Sequence, residues 1–505
     1  MEINWQEVAK ERGQEITQLQ VENGWLKDSI ATVQTENGWL KDSIATVQTE
    51  NVELKESIAT MQLKVSDLEV RLNRNSTNSS VPPSSEGLSK PPVGNRATRR
   101  SKKRNPGKQP GSEGKHLAKV ENPDKVVIHR PDKCHSCGED LINGEVVDIE
   151  TRQVFELPKM APLVIEHQLL KVACSCGSNT KAIPPLEATA PTCYGPSIRA
   201  LATYLSIYQH VPYDRLCEIF SDVLSIPISP GTVAKMISEG GGLLGLFTET
   251  ITELLRDAPV VHFDETGARV EGSLHWVHVA SSCLYTLLTC HKRRGKVAMD
   301  EMAIISNMNG IAVHDGWSPY KSYEVIHQLC NAHHLRELQA VTDNLGQVWA
   351  EEMIELLLFA KAEVEKKVEN GKSSLDKKTL KSIKTRYMAL IENGNHANPA
   401  TDKSKLTKFE KKTVNLLLRL DTYSEDVLRF IYNFNSPFTN NQAERDIRMV
   451  KLQQKISGSW RTKTGADNFL AIRSYISTMK KHDYNVLAGL NQLFNGRAWL
   501  PPGRT

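Results

Sequence analysis

The chain has 505 residues, enough for about two to four domains and a sizeable buried core, and 63 Lys plus Arg against 59 Asp plus Glu leave a net charge of only +4. That balance excludes a uniformly basic, histone-like chain and an acidic tail protein. Residues 74–118 carry ten Lys or Arg and two Glu, a local +8, so the remainder sums to about −4.

No apolar run reaches the roughly 18 residues that span a bilayer, and residues 1–12 are too charged for a secretory signal. A cytoplasmic, nucleoid-associated protein with no membrane partner is expected. Nine cysteines, an odd number with a close-spaced group in one stretch, read as metal ligands in a reducing compartment rather than as a disulfide framework.

The first element is a repeat. ENGWLKDSIATVQT at residues 22–35 returns unchanged at 36–49 and degenerates at 50–63. Its period is two heptads, with Asn23, Ile30, Asn37, Ile44, Asn51, Ile58 and Val65 at a, and Leu26, Val33, Leu40, Val47, Leu54, Met61 and Leu68 at d. β-branched residues at a, Leu at d and an Asn in alternate a layers predict a parallel two-stranded coiled coil, with Glu22, Glu36 and Glu50 at g facing Lys27, Lys41 and Lys55 at e. A solvated single helix is the weaker alternative. The expectation is a homodimer, or a higher oligomer, built on residues 1–73.

Residues 74–95 are rich in Ser, Pro and Asn without a hydrophobic period, which is linker composition. A basic run containing Arg99, Arg100, Lys102, Lys103 and Arg104 follows and leads into NPGKQPG, where a helix cannot continue. The segment 74–118 is expected to be a flexible arm that neutralises DNA or RNA phosphates.

Residues 144–173 alternate and are rich in Val, Ile and Leu, which predicts short antiparallel strands. Cys134 and Cys137 lie before that stretch, and Cys174 and Cys176 follow it. Four thiolates suffice for one closed, structural tetrahedral zinc site, so 119–182 is expected to be a small zinc-binding β module. The second pair has a single intervening residue, and His135 offers a substitute ligand.

Helical patterning returns over residues 195–240, where ISPGTVAKMISE fits either the second helix of a helix-turn-helix or an ordinary connector. The region 183–255 is accordingly read as a helical DNA-binding or connector region. From residue 260 to residue 329 the pattern is VVHF, LHWVHVAS, YTLLTCH, IAVH and VIHQL, five strands with one helical stretch before the fourth. Residues 345–433 are helical, with Trp349, Met353, Leu356, Leu357 and Ala360 on one face, and further helices begin near Asn440 and Asp467.

Three acids stand out by position. Asp264 is predicted to end the strand VVHF, and Asp315 to end IAVH before a Gly-Trp-Ser-Pro turn. Glu444 falls in the first turn of a helix for which Thr439 and Gln442 suggest a capping box. Arg448, Lys451 and Lys455 follow on Glu444's side, whereas Asp446 points away. Three carboxylates can hold two Mg²⁺ ions for phosphodiester chemistry, with Asp264 shared and Asp315 and Glu444 completing one ion each. The cations beside Glu444 would then meet DNA phosphates, and Trp317 and the Trp460-Arg461 pair would line the DNA channel, with core packing of both tryptophans as the alternative.

The stretches HFDETGARVEGSLHWVHVASS, AVHDGWSPYKSY, HQLCNAHHLRELQAV and NNQAERDIRMVKLQQKISGSWRTKTGADNF resemble transposases of the insertion-sequence-66 family, bacterial enzymes with a DDE triad on an RNase H-like fold. NSSVPPSS, NPGKQPG, the cysteine pairs and YGPSIRALATYLSIYQHVPYDRL fit the same order, so the resemblance runs from about residue 74 onward. It implies that Asp264, Asp315 and Glu444 are the catalytic acids and that the helices before Glu444 are an insertion. Cys330 and His333 are similar to a C-x-x-H signature of related DDE transposases near the active site, with packing or zinc binding as the alternatives. Companion proteins of the same element are also implied.

Together these readings predict an α/β chain: an RNase H-like catalytic domain with an all-helical insertion, preceded by the coiled coil, the zinc module and the helical region. Its parts would be residues 256–335 and 436–485, split by the insertion 336–435 and followed by a tail at 486–505. The expected activity is that of a DNA transposase that binds terminal inverted repeats, cleaves to a 3′ end and transfers it to target DNA, with two Mg²⁺ and one Zn²⁺. The alternatives are a dimeric zinc-containing DNA-binding regulator without enzyme activity, and an RNase H-like nuclease that hydrolyses without joining.

Overall fold

The computed structural model describes residues 5–75, 77–79, 117–158, 160–185, 188–399 and 406–503. Arg99, Arg100, Lys102, Lys103 and Arg104, the core of the expected basic arm, lie outside the described residues. Among the described residues no helix is long and apolar enough to cross a membrane.

The heptad region forms one helix, α1, Trp5–Leu72. Its seam is exposed along this single chain, with Leu40 49% and Ile44 56% accessible. At its C-terminal end the chain meets the body of the protein, where Asn78 Nδ2 donates to Asp343 Oδ2 at 3.0 Å.

Between residues 117 and 185 the only strands among the described residues are β1, Lys171–Ala173, and β2, Asn179–Lys181, a short antiparallel hairpin. The set of strands expected over 144–173 does not form. Val147 is 95% exposed and Val154 88%: alternation favours a strand only where a partner chain and an apolar layer receive it, and neither is present here.

Helices α2 (Pro196–Thr203), α3 (Tyr213–Leu224), α4 (Pro230–Gly242) and α5 (Gly245–Arg256) follow, with a π-helical turn at Tyr204–Tyr208 between the first two. Ser229 caps α4 by accepting from Thr232 N. The α4 face is mostly uncharged, and its Lys235 pairs with Glu239 of the same helix.

The sheet has β3 (Val260–Val270), β4 (Ser273–Ser281), β5 (Thr286–His291), β6 (Ile311–His314) and β7 (Ile326–Leu329) in the order β5-β4-β3-β6-β7. The first three are antiparallel, and β6 and β7 run parallel to β3. A two-residue turn joins β3 to β4 with positive φ at Glu271 (53°) and Gly272 (73°), the twist a tight hairpin requires. Helix α6, Lys296–Met302, lies in the crossover from β5 to β6. Gly310 lets β6 approach β3, since a Cβ there would sit 2.3 Å from the Ala258 carbonyl oxygen. Every residue of β6 is buried, so the centre of the sheet is covered on both faces.

Five helices follow β7: α7 (Asn331–Leu345), α8 (Val348–Glu369), α9 (Lys377–Ala397), α10 (Lys408–Thr422) and α11 (Ser424–Tyr432). They enclose their own core, including Trp349, Met353, Leu356, Leu357 and Ala360, the face expected from the sequence. Entry and exit are stitched together by Asn331 N donating to Phe438 O at 3.0 Å. The chain then returns as α12 (Asn441–Ser457), α13 (Lys463–Lys481) and α14 (Val486–Phe494). Helix α13 starts earlier than expected because Thr462 caps it. The main core joins the sheet to residues of α2–α5 and α12–α14, so residues 196–256 pack into the same body as the strands.

Candidate active site

Asp264 lies within β3, not at its end: β3 continues to Val270 because β4 keeps pairing with it, and Asp264 stands opposite Val279. Its parallel ladder with β6 does stop just before it, at the pair His262 and Val313. Two residues further in that register Asp264 comes level with Asp315, the first residue after β6. Asp315 Oδ1 accepts from Trp317 N at 2.8 Å, which fixes the carboxylate on the turn. Glu444 is in the first turn of α12, with its side chain 27% exposed.

The Asp264 pKa is raised to about 8, first by burial and next by its neighbour Glu265, with Asp315 and Glu444 adding to the rise. Three acids from three distant segments therefore share one electrostatic field. The Glu444 oxygen Oε1 is shielded from solvent without a hydrogen-bond partner, and Arg336 Nη2 stands 3.7 Å from it. Half-buried carboxylates that repel one another suit a site for a divalent cation. The oxygens of Asp264, Asp315 and Glu444 do not all lie within 4.8 Å of one another.

The ligating atoms that do lie within 4.8 Å of one another are those of Cys330, His333 and Glu444. Cys330 precedes α7 and His333 is in its first turn. Burial pushes the Cys330 thiol up to about 11.

Several supporting residues went unnoticed in the sequence. Glu265, with only 2% of its side chain exposed, accepts from Tyr320 Oη at 2.8 Å and from Arg294 Nη2 at 2.7 Å. Arg294 lies over Trp317 and Trp276, 4.0 Å and 4.8 Å from the ring centroids. Trp317 thus packs on Arg294 and the core, and Trp460 packs against Phe469 and pairs with the end of β3; both are partly buried. Arg461 is exposed. The sequence signal for Glu265 was its adjacency to Asp264; Arg294 has none, since its partner is set by folding.

The capping box expected from Thr439 and Gln442 is absent. Asn440 is the residue before α12 and makes no side-chain cap, because its amide is used elsewhere, and Gln442 donates to Asp446. Asp446 turns away from the triad, as expected, into a pocket of Ser281, Thr286 and Lys481. Burial alone would raise its pKa, but Lys481 and the hydroxyl donors outweigh that and hold it below the ordinary carboxylate value. Arg448, Lys451 and Lys455 are exposed along α12, and the Lys451 ammonium donates to the Gly267 carbonyl oxygen on β3.

The cysteine pairs each form a knuckle. Cys134 and Cys137 are followed by Gly138 at φ 77°, and Cys174 and Cys176 by Gly177 at φ 89°. Gly138 N donates to Cys134 O and Gly177 N to Cys174 O, both at 2.9 Å. Backbone donors at Cys137 and Ser136 lower the Cys134 pKa, and Ser178 lowers Cys176 to about 7. Two such turns supply the thiolates zinc requires, although the four sulfurs are not gathered around one point here.

Comparison with known families bears on these features. Residues 131–177 match the model described as the zinc-finger binding domain of transposase IS66, which takes in all four knuckle cysteines and makes structural zinc and DNA binding the expected properties of this module. Residues 27–118 match a family of unknown function. No curated protein matches the chain. Residues 191–468 match the model described as Transposase IS66 family. That match spans more than half of the chain, including Asp264, Asp315 and Glu444, and the chain belongs to the Transposase IS66 family.

Proposed function

We propose that the chain is a DDE transposase in which Asp264, Asp315 and Glu444 are the catalytic acids of an RNase H-like domain. The observation that carries this is the shared field of three carboxylates drawn from β3, the end of β6 and α12. The strand order β5-β4-β3-β6-β7, three antiparallel strands followed by two parallel ones, supports the fold reading. The helices α7–α11, with their own core, fit an insertion between Asp315 and Glu444.

The reaction is cleavage at the element end to leave a 3′ hydroxyl, then in-line attack of that oxygen on a target phosphodiester, displacing the target strand's 3′ oxygen. Two magnesium ions held by the three carboxylates would supply Lewis acidity at the attacking and leaving oxygens. The chain's own residues do the rest. Arg294, by pairing with Glu265 and stacking on Trp317, holds the turn that carries Asp315. Arg336 balances Glu444, and Arg448 and Lys455 present positive charge to DNA phosphates along α12.

The proposed division is a dimerising coiled coil over 1–73, a basic arm over 74–118, a module with one structural zinc over 119–182, a helical region over 183–255, and a catalytic domain over 256–335 and 436–485 split by the insertion, with a tail beyond. The partners are element ends, target DNA, a second copy of the chain and companion proteins of the element, in the cytoplasm at the nucleoid.

The test is strand transfer of a pre-cleaved element end by purified protein with Mg²⁺, and with Mn²⁺ as a control. Asp264→Asn, Asp315→Asn and Glu444→Gln are each expected to reduce transfer to background while DNA binding and the zinc of the cysteine knuckles persist. Undiminished transfer by these variants rejects the triad.

A further inference from the structure

We infer that Cys330, His333 and Glu444 form a transition-metal site of zinc type, distinct from the cysteine knuckles, in which Glu444 is the ligand held in common with the proposed catalytic centre.

The local fold builds the site from two helix starts. Cys330 ends the β7 segment and His333 follows in the first turn of α7, its N–H donating to the Cys330 carbonyl oxygen at 3.1 Å. Cys330 is the extended residue that precedes α7 and His333 is the third residue of that helix, so both side chains sit at its N-terminal end. Glu444 arrives from the first turn of α12, and the Asn440 N–H at the head of that helix donates to Cys330 Sγ at 3.1 Å. The sulfur, a ring nitrogen and a carboxylate oxygen then lie within 4.8 Å of one another. Zinc bonds of about 2.0 to 2.3 Å in tetrahedral geometry put ligand atoms about 3.3 to 3.7 Å apart, roughly 1 Å inside that bound and within reach of side-chain rotation.

Two of the three groups have an unmet need. His333 Nδ1 and Glu444 Oε1 are both shielded from solvent and lack a hydrogen-bond partner. Leaving such atoms orphaned is costly, and a cation satisfies both. The donor set of thiolate, imidazole and carboxylate prefers zinc to magnesium. Three protein ligands leave a fourth position open, unlike the closed set offered by the knuckles. On ligation the Cys330 thiol releases its proton to solvent as the Zn–S bond forms. The opposing charge is Arg336, 3.7 Å from Glu444; with 27% of its side chain exposed, its guanidinium has a route to water.

One carboxylate serves poorly in two coordination spheres. If the triad reading above holds, on which this consequence rests, zinc at Cys330 and His333 withdraws Glu444 from magnesium and switches strand transfer off.

The direct test is zinc content per full-length chain after incubation with micromolar zinc and desalting. Cys330→Ser, which keeps an acceptor for the Asn440 N–H, and His333→Asn are each expected to lose one zinc per chain relative to the unmutated protein, with the knuckle zinc retained. Equal zinc in all three proteins overturns the site. A second readout needs no variant: micromolar zinc added to the magnesium-supported reaction should suppress strand transfer at least tenfold, and unaffected transfer overturns the switch. The triad fails separately, through full strand transfer by Asp264→Asn, a change that touches none of the three zinc ligands.

Discussion

Asn440 Nδ2 donates to the Phe263 carbonyl oxygen at 2.7 Å, so the residue that starts Glu444's helix is fastened to the residue before Asp264. The same side chain accepts from His262 Nδ1 at 3.0 Å, and the Asn440 N–H goes to Cys330. One buried amide thus sets the distance between two acids that lie 180 positions apart. Asn440→Ala leaves the His262 and Phe263 groups buried and unpartnered, at a cost of about 1–3 kcal/mol each before relaxation. The expected result is a protein that still folds at 25 °C and binds DNA, with strand transfer reduced roughly 100-fold by misplacement of Glu444. Parallel assays of binding and strand transfer check it; transfer at the unmutated rate would show that Asn440 does not position the helix.

The other fastening of α12 is ionic. Lys481 Nζ lies 2.8 Å from Asp446 Oδ2 with side-chain exposures of 10% and 13%. It also lies 2.6 to 2.9 Å from Ser281 Oγ, Thr286 Oγ1 and the Ser282 and Tyr285 carbonyl oxygens, acceptors that share its three N–H donors with Asp446. Burial lowers the Lys481 pKa more than Asp446 restores it, while Lys481 helps hold Asp446 below its ordinary value, so the pair favours one of its two charges and not the other. A buried pair with such opposed shifts contributes to registry more than to net stability. Lys481→Met strands the Asp446 charge and is expected to cost about 3–5 kcal/mol. The double change Asp446→Leu with Lys481→Met should recover much of that loss. Urea denaturation of the three variants measures it, and a double variant no more stable than Lys481→Met would contradict this account.

The strands, and the positions of Asp264 and Asp315 beside two of them, were legible in the sequence because they rest on local signals. Short β-branched runs such as IAVH are strands in any partnered context, and acids beside such runs stand out. Local pattern misled where the partner decides the outcome. The Val-rich stretch 144–173 alternates without a layer to receive it, and Asp264 seemed to end a strand because VVHF is the apolar part of a longer one that β4 extends to Val270. Glu265 with Arg294, Asn440 with Phe263 and Asp446 with Lys481 were invisible for a related reason. Each joins segments from 29 to 177 positions apart, and no periodicity encodes such pairs.

The knuckles lead to a prediction about the module around them. Residues near them bury little apolar surface, with Val146, Val147 and Ile149 all exposed, so metal ligation is the main source of order available. Purified protein is expected to carry zinc at residues 131–177, and Cys137→Ser or Cys176→Ser to lose it. Loss of zinc should open this segment to protease while residues 191–503 stay resistant. Limited proteolysis with and without a chelator, followed by mass analysis, reads this. A segment equally resistant in both conditions would show that the fold of the module does not depend on the metal.

The seam of α1 carries the last prediction. Leu26, Ile30, Val33, Leu40, Ile44 and Val47 are all exposed along a 68-residue helix with no apolar layer of its own. An isolated apolar stripe of this length is stable in water only when a second helix covers it. The Asn residues at alternate a positions favour like layers meeting, hence a parallel pair in register. Asn51 Nδ2, bonded to the Val47 carbonyl oxygen in the single chain, would turn to its counterpart across the seam. Leu40→Cys is expected to form a symmetric disulfide under mild oxidation, and Ile30→Lys with Ile44→Lys to shift the protein to monomer in analytical ultracentrifugation. Because a transposition reaction must bring two element ends together, the monomeric variant should still bind single ends but lose joint transfer of a pair. A dimer that survives both lysines would place the subunit contact elsewhere than α1.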